Sequence, residues 1–123
     1  MQAALGVPVN FTFASTSVGL AFQDSGDIGR SNSIKYVGDL LEKGVKVALV
    51  YGDRDFACNW VGGETMSLAI EYEGSDEFAA AGYTPIFTDE GVEGGQVRQS
   101  GNYSFSRVYQ AGHLGMQFSS SFH

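Results

Sequence analysis

Asp53, Asp55 and Cys58 close the stretch VKVALVYGDRDFACNW, Val45 to Trp60, and far downstream His113 closes QAGH. These residue types support one familiar chemistry. A carboxylate bonded to one imidazole nitrogen fixes the ring's tautomer and stabilises the imidazolium, and the second nitrogen is then free to take a proton from a nucleophile. Each residue also has a plainer reading. An aspartate after a strand and before a helix is more often a cap or turn former. A lone histidine after a strand is more often a hydrogen-bonded surface residue, and a free cysteine more often a small buried filler. Cys58 paired with His113 would be a thiol nucleophile, but no thiol-protease signature surrounds it.

Positioning these side chains is the task of the elements around them. From Ser33, Ile34, Val37, Leu40 and Leu41 recur at helical spacing and Gly44 follows as a stop, which predicts a short amphipathic helix over about 33–43. VKVALVY is β-branched and nearly all apolar, the form of a parallel strand buried on both faces. Helix followed at once by such a strand is half of an alternating α/β unit. Asn59 to Tyr72 reads as a second helix bearing Trp60, Met66, Ala69 and Ile70, slowed by Gly62 and Gly63. Residues 1–30, rich in Gly, Ser and Thr, read as turn or loop at QDSGDIGR, and 74–95 as a long acidic connection. GQVRQSGNYSFSRVY holds two extended runs around SGN, a hairpin signal, and its second run leads to His113. In open α/β sheets chemistry gathers beyond the carboxyl ends of strands. Asp55 follows one strand and His113 another, in the order acid then histidine that α/β-hydrolases use.

Composition narrows the classes. The 123 residues are 43% hydrophobic, enough for a core and unlike a disordered chain. A formal charge of −7, with Lys and Arg few and scattered, argues against nucleic acid as a partner. One cysteine makes no internal disulfide, and with two scattered histidines it predicts no metal site and no cofactor. No apolar run approaches the ~20 residues of a membrane span, and MQAALGVPVN lacks the positive charge of a leader peptide. NFT at Asn10 and NYS at Asn102 nevertheless match the glycan acceptor pattern.

VALVYGDRDFACNWVGGE and SFSRVYQAGH together resemble the C-terminal part of the serine carboxypeptidases. That family carries Gly-Asp-x-Asp-(Phe/Tyr)-x-Cys-Asn-(Trp/Tyr) after a strand and (Ala/Gly)-Gly-His after a later one. GGQVRQSGNYSFSRVYQAGH matches as a longer block and QAALGVP resembles the segment before it, so the likeness runs over about 1–113 and leaves 114–123 as a divergent tail. The resemblance implies a partial α/β-hydrolase fold, the C-terminal strands and helices of a mixed, mostly parallel sheet, with residues 1–123 one portion of a larger domain. It implies Asp55 as triad acid, His113 as triad base, and Cys58 and Leu114 as residues lining the substrate pocket. Asp53 is left to the loop's own hydrogen bonding and Asn59 to the loop or helix start.

Departures from the family pattern carry equal weight. No Gly-x-Ser-x-Gly occurs, so the nucleophile elbow is missing, and so are the oxyanion donors. After His113 the family continues with Val-Pro and a closing helix, whereas this chain reads LGMQFSSSFH. The expectation is the acid-and-base portion of a carboxypeptidase, inactive alone, whose partners are the C-terminus of a peptide and an N-terminal chain bearing the serine. A secreted or vacuolar/lysosomal enzyme that is fragmentary, or cut into two chains, accounts for acceptor sites without a leader. The rival expectations are a non-catalytic interaction protein and a cysteine hydrolase.

Overall fold

The computed structural model describes residues 14–29 and 32–113, and Asn10 and Leu114 lie outside them. The chain divides into two compact units, 1–31 and 32–123. In the first, helix α1 (Thr16–Asp24) is followed by a single 3₁₀ turn at Asp27–Gly29. The sequence reading expected turn or loop here. Val18, Ala21 and Phe22 do fall at helical spacing, but the Ser, Thr and Gly between them weaken that signal.

The second unit runs α2 (Ser33–Glu42), β1 (Val47–Gly52), α3 (Trp60–Leu68), α4 (Ser75–Ala80), β2 (Thr84–Phe87), β3 (Glu93–Ser100) and β4 (Tyr103–Val108). The strands form one mixed α/β sheet in the order β1-β4-β3-β2, with β1 parallel to β4 and the other two pairings antiparallel. Helix α2 ends as expected: Gly44, at φ +75°, adopts the left-handed conformation that other residues take only at a cost, and its N–H closes on Leu41 O at 2.9 Å.

β1 alternates in burial. Val47, Leu49 and Tyr51 pack on the core, while Val50 is 65% exposed and Ala48 is exposed as well. The expected parallel pairing is present, but burial on both faces is not, because among the described residues α2, α3 and α4 serve only the face bearing Tyr51. That face carries the core of Leu41, Ile70, Phe78, Tyr103 and Phe105, whose rings interlock. Tyr51 stacks on Phe105 with ring centroids 5.5 Å apart, and Phe78 lies tilted on Tyr103 at 4.3 Å, geometries that favour aromatic pairs.

The second helix is shorter than the expected 59–72. Ser67 Oγ donates to Glu64 O at 2.7 Å and Ala69 N–H to Met66 O at 3.0 Å, so the last turn tightens and the chain leaves the helix after Leu68. Ile70 stays in the core without helical backbone. The connection 74–95 contains two elements that the sequence reading passed over. α4 offers a single buried anchor, Phe78, in six residues, and β2 (TPIF) carries a proline, which an edge strand tolerates.

Asn102, in the tight turn between β3 and β4, ties the hairpin to the start of β1. Its Nδ2 donates to Leu41 O at 3.0 Å and to Val45 O at 2.9 Å, and its own carbonyl accepts from Val47 N at 2.9 Å. Replacing Asn102 by Ala removes both side-chain bonds: Val45 O loses this donor, while Leu41 O keeps the Gly44 N–H. The expected loss is about 1–3 kcal/mol of folding stability, read as a lower urea midpoint with an unchanged slope.

Candidate active site

The parallel pairing decides where the functional side chains meet. Val47 pairs with Tyr103 and Gly52 with Val108, so β1 and β4 end side by side and point their carboxyl ends the same way. The ladder continues past both strands: Asp53 N–H donates to Val108 O and Arg54 N–H to Ala111 O, each at 2.9 Å. Gly52 permits this closeness. A Cβ there would sit 2.3 Å from Ala111 O and 2.7 Å from Gly112 O, inside contact distance of backbone that cannot swing away.

Beyond those ends, Asp55 and His113 are direct neighbours: Nδ1 of His113 lies 2.6 Å from Oδ2 of Asp55. The other carboxylate oxygen, Oδ1, accepts from Ala57 N–H and Cys58 N–H, each at 3.0 Å. Asp55 is thus a turn former through one oxygen and the partner of an imidazole through the other. The Cys58 N–H contributes most to holding the Asp55 carboxyl below the usual carboxylate range; the hydrogen bond and charge of His113 and the Ala57 N–H act the same way, against desolvation. An ionised carboxylate only accepts, so Nδ1 carries the hydrogen, which leaves Nε2 as the ring nitrogen that can take up a proton. The Asp55 side chain is 8% exposed and that of His113 64%, so the carboxylate is sheltered behind a ring that faces outward.

Cys58 joins this pair. It is a free, exposed cysteine, and one donor atom each from Asp55, Cys58 and His113 lie within 4.8 Å of one another. Asn59 caps α3, its Oδ1 accepting from Gly62 N–H at 2.8 Å, the helix-start role expected of it. Asp53 differs from expectation. Its carboxylate sits 3.7 Å from Arg54 Nε and 3.9 Å from a terminal nitrogen of Arg107, and its Oδ1 makes no hydrogen bond. The loop's own hydrogen bonds fall to Asp55, because only its side chain faces the N–H groups of the following turn.

Other residues of the site left no mark on the sequence reading. Arg107 stacks on Trp60 at 3.8 Å from the ring centre and faces Tyr109 at 5.5 Å, which seats the start of α3 on the end of β4. Arg54 donates from a terminal nitrogen to Gln110 Oε1 at 3.0 Å, linking the segments before Asp55 and before His113. Gln110 holds φ at +57°, and no glycine announced that left-handed turn.

A carboxylate–imidazole pair set beyond two adjacent parallel strand ends, on a mixed sheet with helices packed on one face, defines a partial α/β-hydrolase fold. Comparison with known proteins narrows the class. The family model for serine carboxypeptidases matches residues 1–121, past the point near 113 where the sequence resemblance stops. Carboxypeptidase S1 homolog A of Arthroderma otae is 56% identical over 114 residues, covering 90% of this chain and 17% of that protein. Carboxypeptidase Y homolog of Arthroderma benhamiae is 50% identical over 118 residues, 93% of this chain and 19% of the relative. The crystal structure of Kex1Δp, a prohormone-processing carboxypeptidase from Saccharomyces cerevisiae, superposes with a TM-score of 0.58 at 29% identity, over 68% of this chain and 19% of that one. The chain belongs to the serine carboxypeptidase family, and it spans under a fifth of the length of these relatives.

Two outcomes test this geometry. Gly52→Ala pushes the segment before His113 off the Asp55 loop, and the NMR signal of the His113 Nδ1 proton, shifted downfield by the carboxylate in the parent chain, is expected to disappear. Because the Asp55 pKa is lowered on folding, its contribution to stability is present above the ordinary value of 3.8 and fades as pH falls through the lowered one. The difference in melting temperature between the parent and Asp55→Asn should therefore be constant at neutral pH and shrink only in acid below about pH 4.

Proposed function

We propose that this chain supplies the acid and the base of a serine-type carboxypeptidase, with the nucleophilic serine contributed by a segment outside these 123 residues. The observation that carries the reading is the 2.6 Å bond between Asp55 Oδ2 and His113 Nδ1. With Nδ1 occupied, Nε2 of His113 takes the proton of the serine hydroxyl as the serine attacks the terminal peptide carbonyl. It then returns that proton to the departing amine. Asp55 keeps the ring in the productive tautomer and stabilises the imidazolium while it exists. Donors that stabilise the oxyanion belong to the same outside segment as the serine, and Cys58, exposed beside the pair, borders the space a substrate would enter.

The substrate is then a peptide with a free C-terminus, and the chain on its own turns over nothing. The same reading puts the protein in a secreted or vacuolar/lysosomal compartment, supported by family membership and by the acceptor pattern at Asn10; the Nδ2 of Asn102, where a glycan would attach, is instead committed to the carbonyls of Leu41 and Val45. No helix among the described residues is long and apolar enough to cross a membrane.

The test joins this chain to the serine-bearing segment of a relative, by fusion or co-expression, and measures release of C-terminal amino acids from peptides. Activity should appear in the assembly alone, and His113→Ala and Asp55→Asn should each lower kcat by about 10³- to 10⁶-fold with little change in KM. Assembled enzyme that is active and indifferent to both substitutions refutes the assignment. Turnover by the unassembled chain, abolished by alkylating Cys58, would instead make the thiol the nucleophile.

A further inference from the structure

Residues at 55, 58 and 113 look scattered in the sequence, and on that ground no metal site was expected. The parallel strand ends collect them. Asp55 contributes a carboxylate oxygen, Cys58 a sulfur and His113 an imidazole nitrogen, all within 4.8 Å of one another. We propose that these three side chains bind one divalent cation of borderline softness, with zinc the physiological candidate.

The donor set argues for that class. A mixed oxygen, nitrogen and sulfur set suits zinc, whose bonds to carboxylate and imidazole are about 2.0–2.2 Å and to thiolate about 2.3 Å. Magnesium and calcium prefer all-oxygen shells and would leave the sulfur unused. Two of the donors sit on a turn that is already fixed, because Asp55 Oδ1 is the acceptor for the Cys58 N–H. The third is adjustable: the ring is 64% exposed, and Asp55 is its only hydrogen-bond partner among the described residues. Cys58 is exposed too, so an ion can enter and water can complete the fourth position.

Binding and the acid–base pair are mutually exclusive. Oδ2 and Nδ1 lie 2.6 Å apart, whereas two such donors on one tetrahedral zinc stand about 3.3 Å apart. The ion therefore spreads the two atoms and takes the place of the Nδ1 proton, which passes by way of solvent to Nε2, while the thiol releases its own proton to solvent. Loss of hydrolase activity on zinc binding follows if Asp55 and His113 have the catalytic roles proposed above; the binding itself does not rest on those roles.

Cobalt(II) serves as the spectroscopic probe, added to the full 123-residue chain kept reduced with a phosphine. Saturation at one ion per chain is expected, with a thiolate-to-cobalt charge-transfer band in the near ultraviolet and visible bands of tetrahedral intensity, all bleached by equimolar zinc. Cys58→Ser, an exchange at an exposed position, should abolish the charge-transfer band and weaken cobalt binding by more than about 100-fold, beyond the 10- to 100-fold typical of outer-shell changes. His113→Ala should weaken it comparably, and His123→Ala should leave it unchanged. Circular dichroism checks that each variant is folded. No saturable cobalt binding up to millimolar ion, or binding that persists in Cys58→Ser, overturns the proposal. Since the titration reads binding in a chain without the serine, its failure leaves the triad reading standing, and failure of the reconstituted peptidase leaves the cation site standing.

Discussion

Everything at this site depends on the parallel pairing of β1 with β4. Two strands that run the same way and share a ladder must end together, so the residues that follow them are delivered to one place. Had β1 paired antiparallel, Asp55 would leave the sheet at the end opposite His113. The hydrogen bonds of Asp53 and Arg54 to Val108 and Ala111 extend the ladder beyond regular strand, and the missing side chain at Gly52 lets the second backbone come close enough to make them. The pairing is secured on the core face, where Tyr51 of β1 stacks on Phe105 of β4.

Within that frame, Asp55 serves the turn and the imidazole at once. Its Oδ1 closes the turn that leads into α3, and its Oδ2 holds the imidazole. The economy has a chemical effect: the same backbone donors that shape the turn hold the carboxyl ionised, and so fix which nitrogen of His113 carries hydrogen. The exposed Arg54–Gln110 contact adds little energy by itself. Its value is geometric, since it spans the two segments that carry the pair.

What the sequence disclosed followed signal strength. The helix at 33–43 was legible because four apolar residues keep its period and a glycine ends it. The hairpin was legible because two extended runs flank Gly101 and Asn102. α1, α4 and β2 were not, because each is short and offers few apolar anchors; α4 owes its place to Phe78 meeting Tyr103, a contact between the helix and the sheet face beneath it. Asp55 and His113 emerged from chain order and family motif together. The part played by Arg107 did not, because the ring it stacks on, Trp60, is far from it in sequence. Asp53 was misread because two aspartates two positions apart look alike until the backbone shows which of them faces the turn.

The strand order also dictates a sequence of assembly. β2, β3 and β4 follow one another through short connections, so their pairings close small loops. β1 can join β4 only by bringing Val47 to Tyr103, which encloses most of the second unit. That closure carries the largest entropic cost in the sheet and is the slowest kind of contact to form. Asp55 and His113 lie just beyond it. The pairing of Asp55 with His113 is therefore assembled no earlier than the closure of β1 on β4, and it is lost as soon as that closure opens.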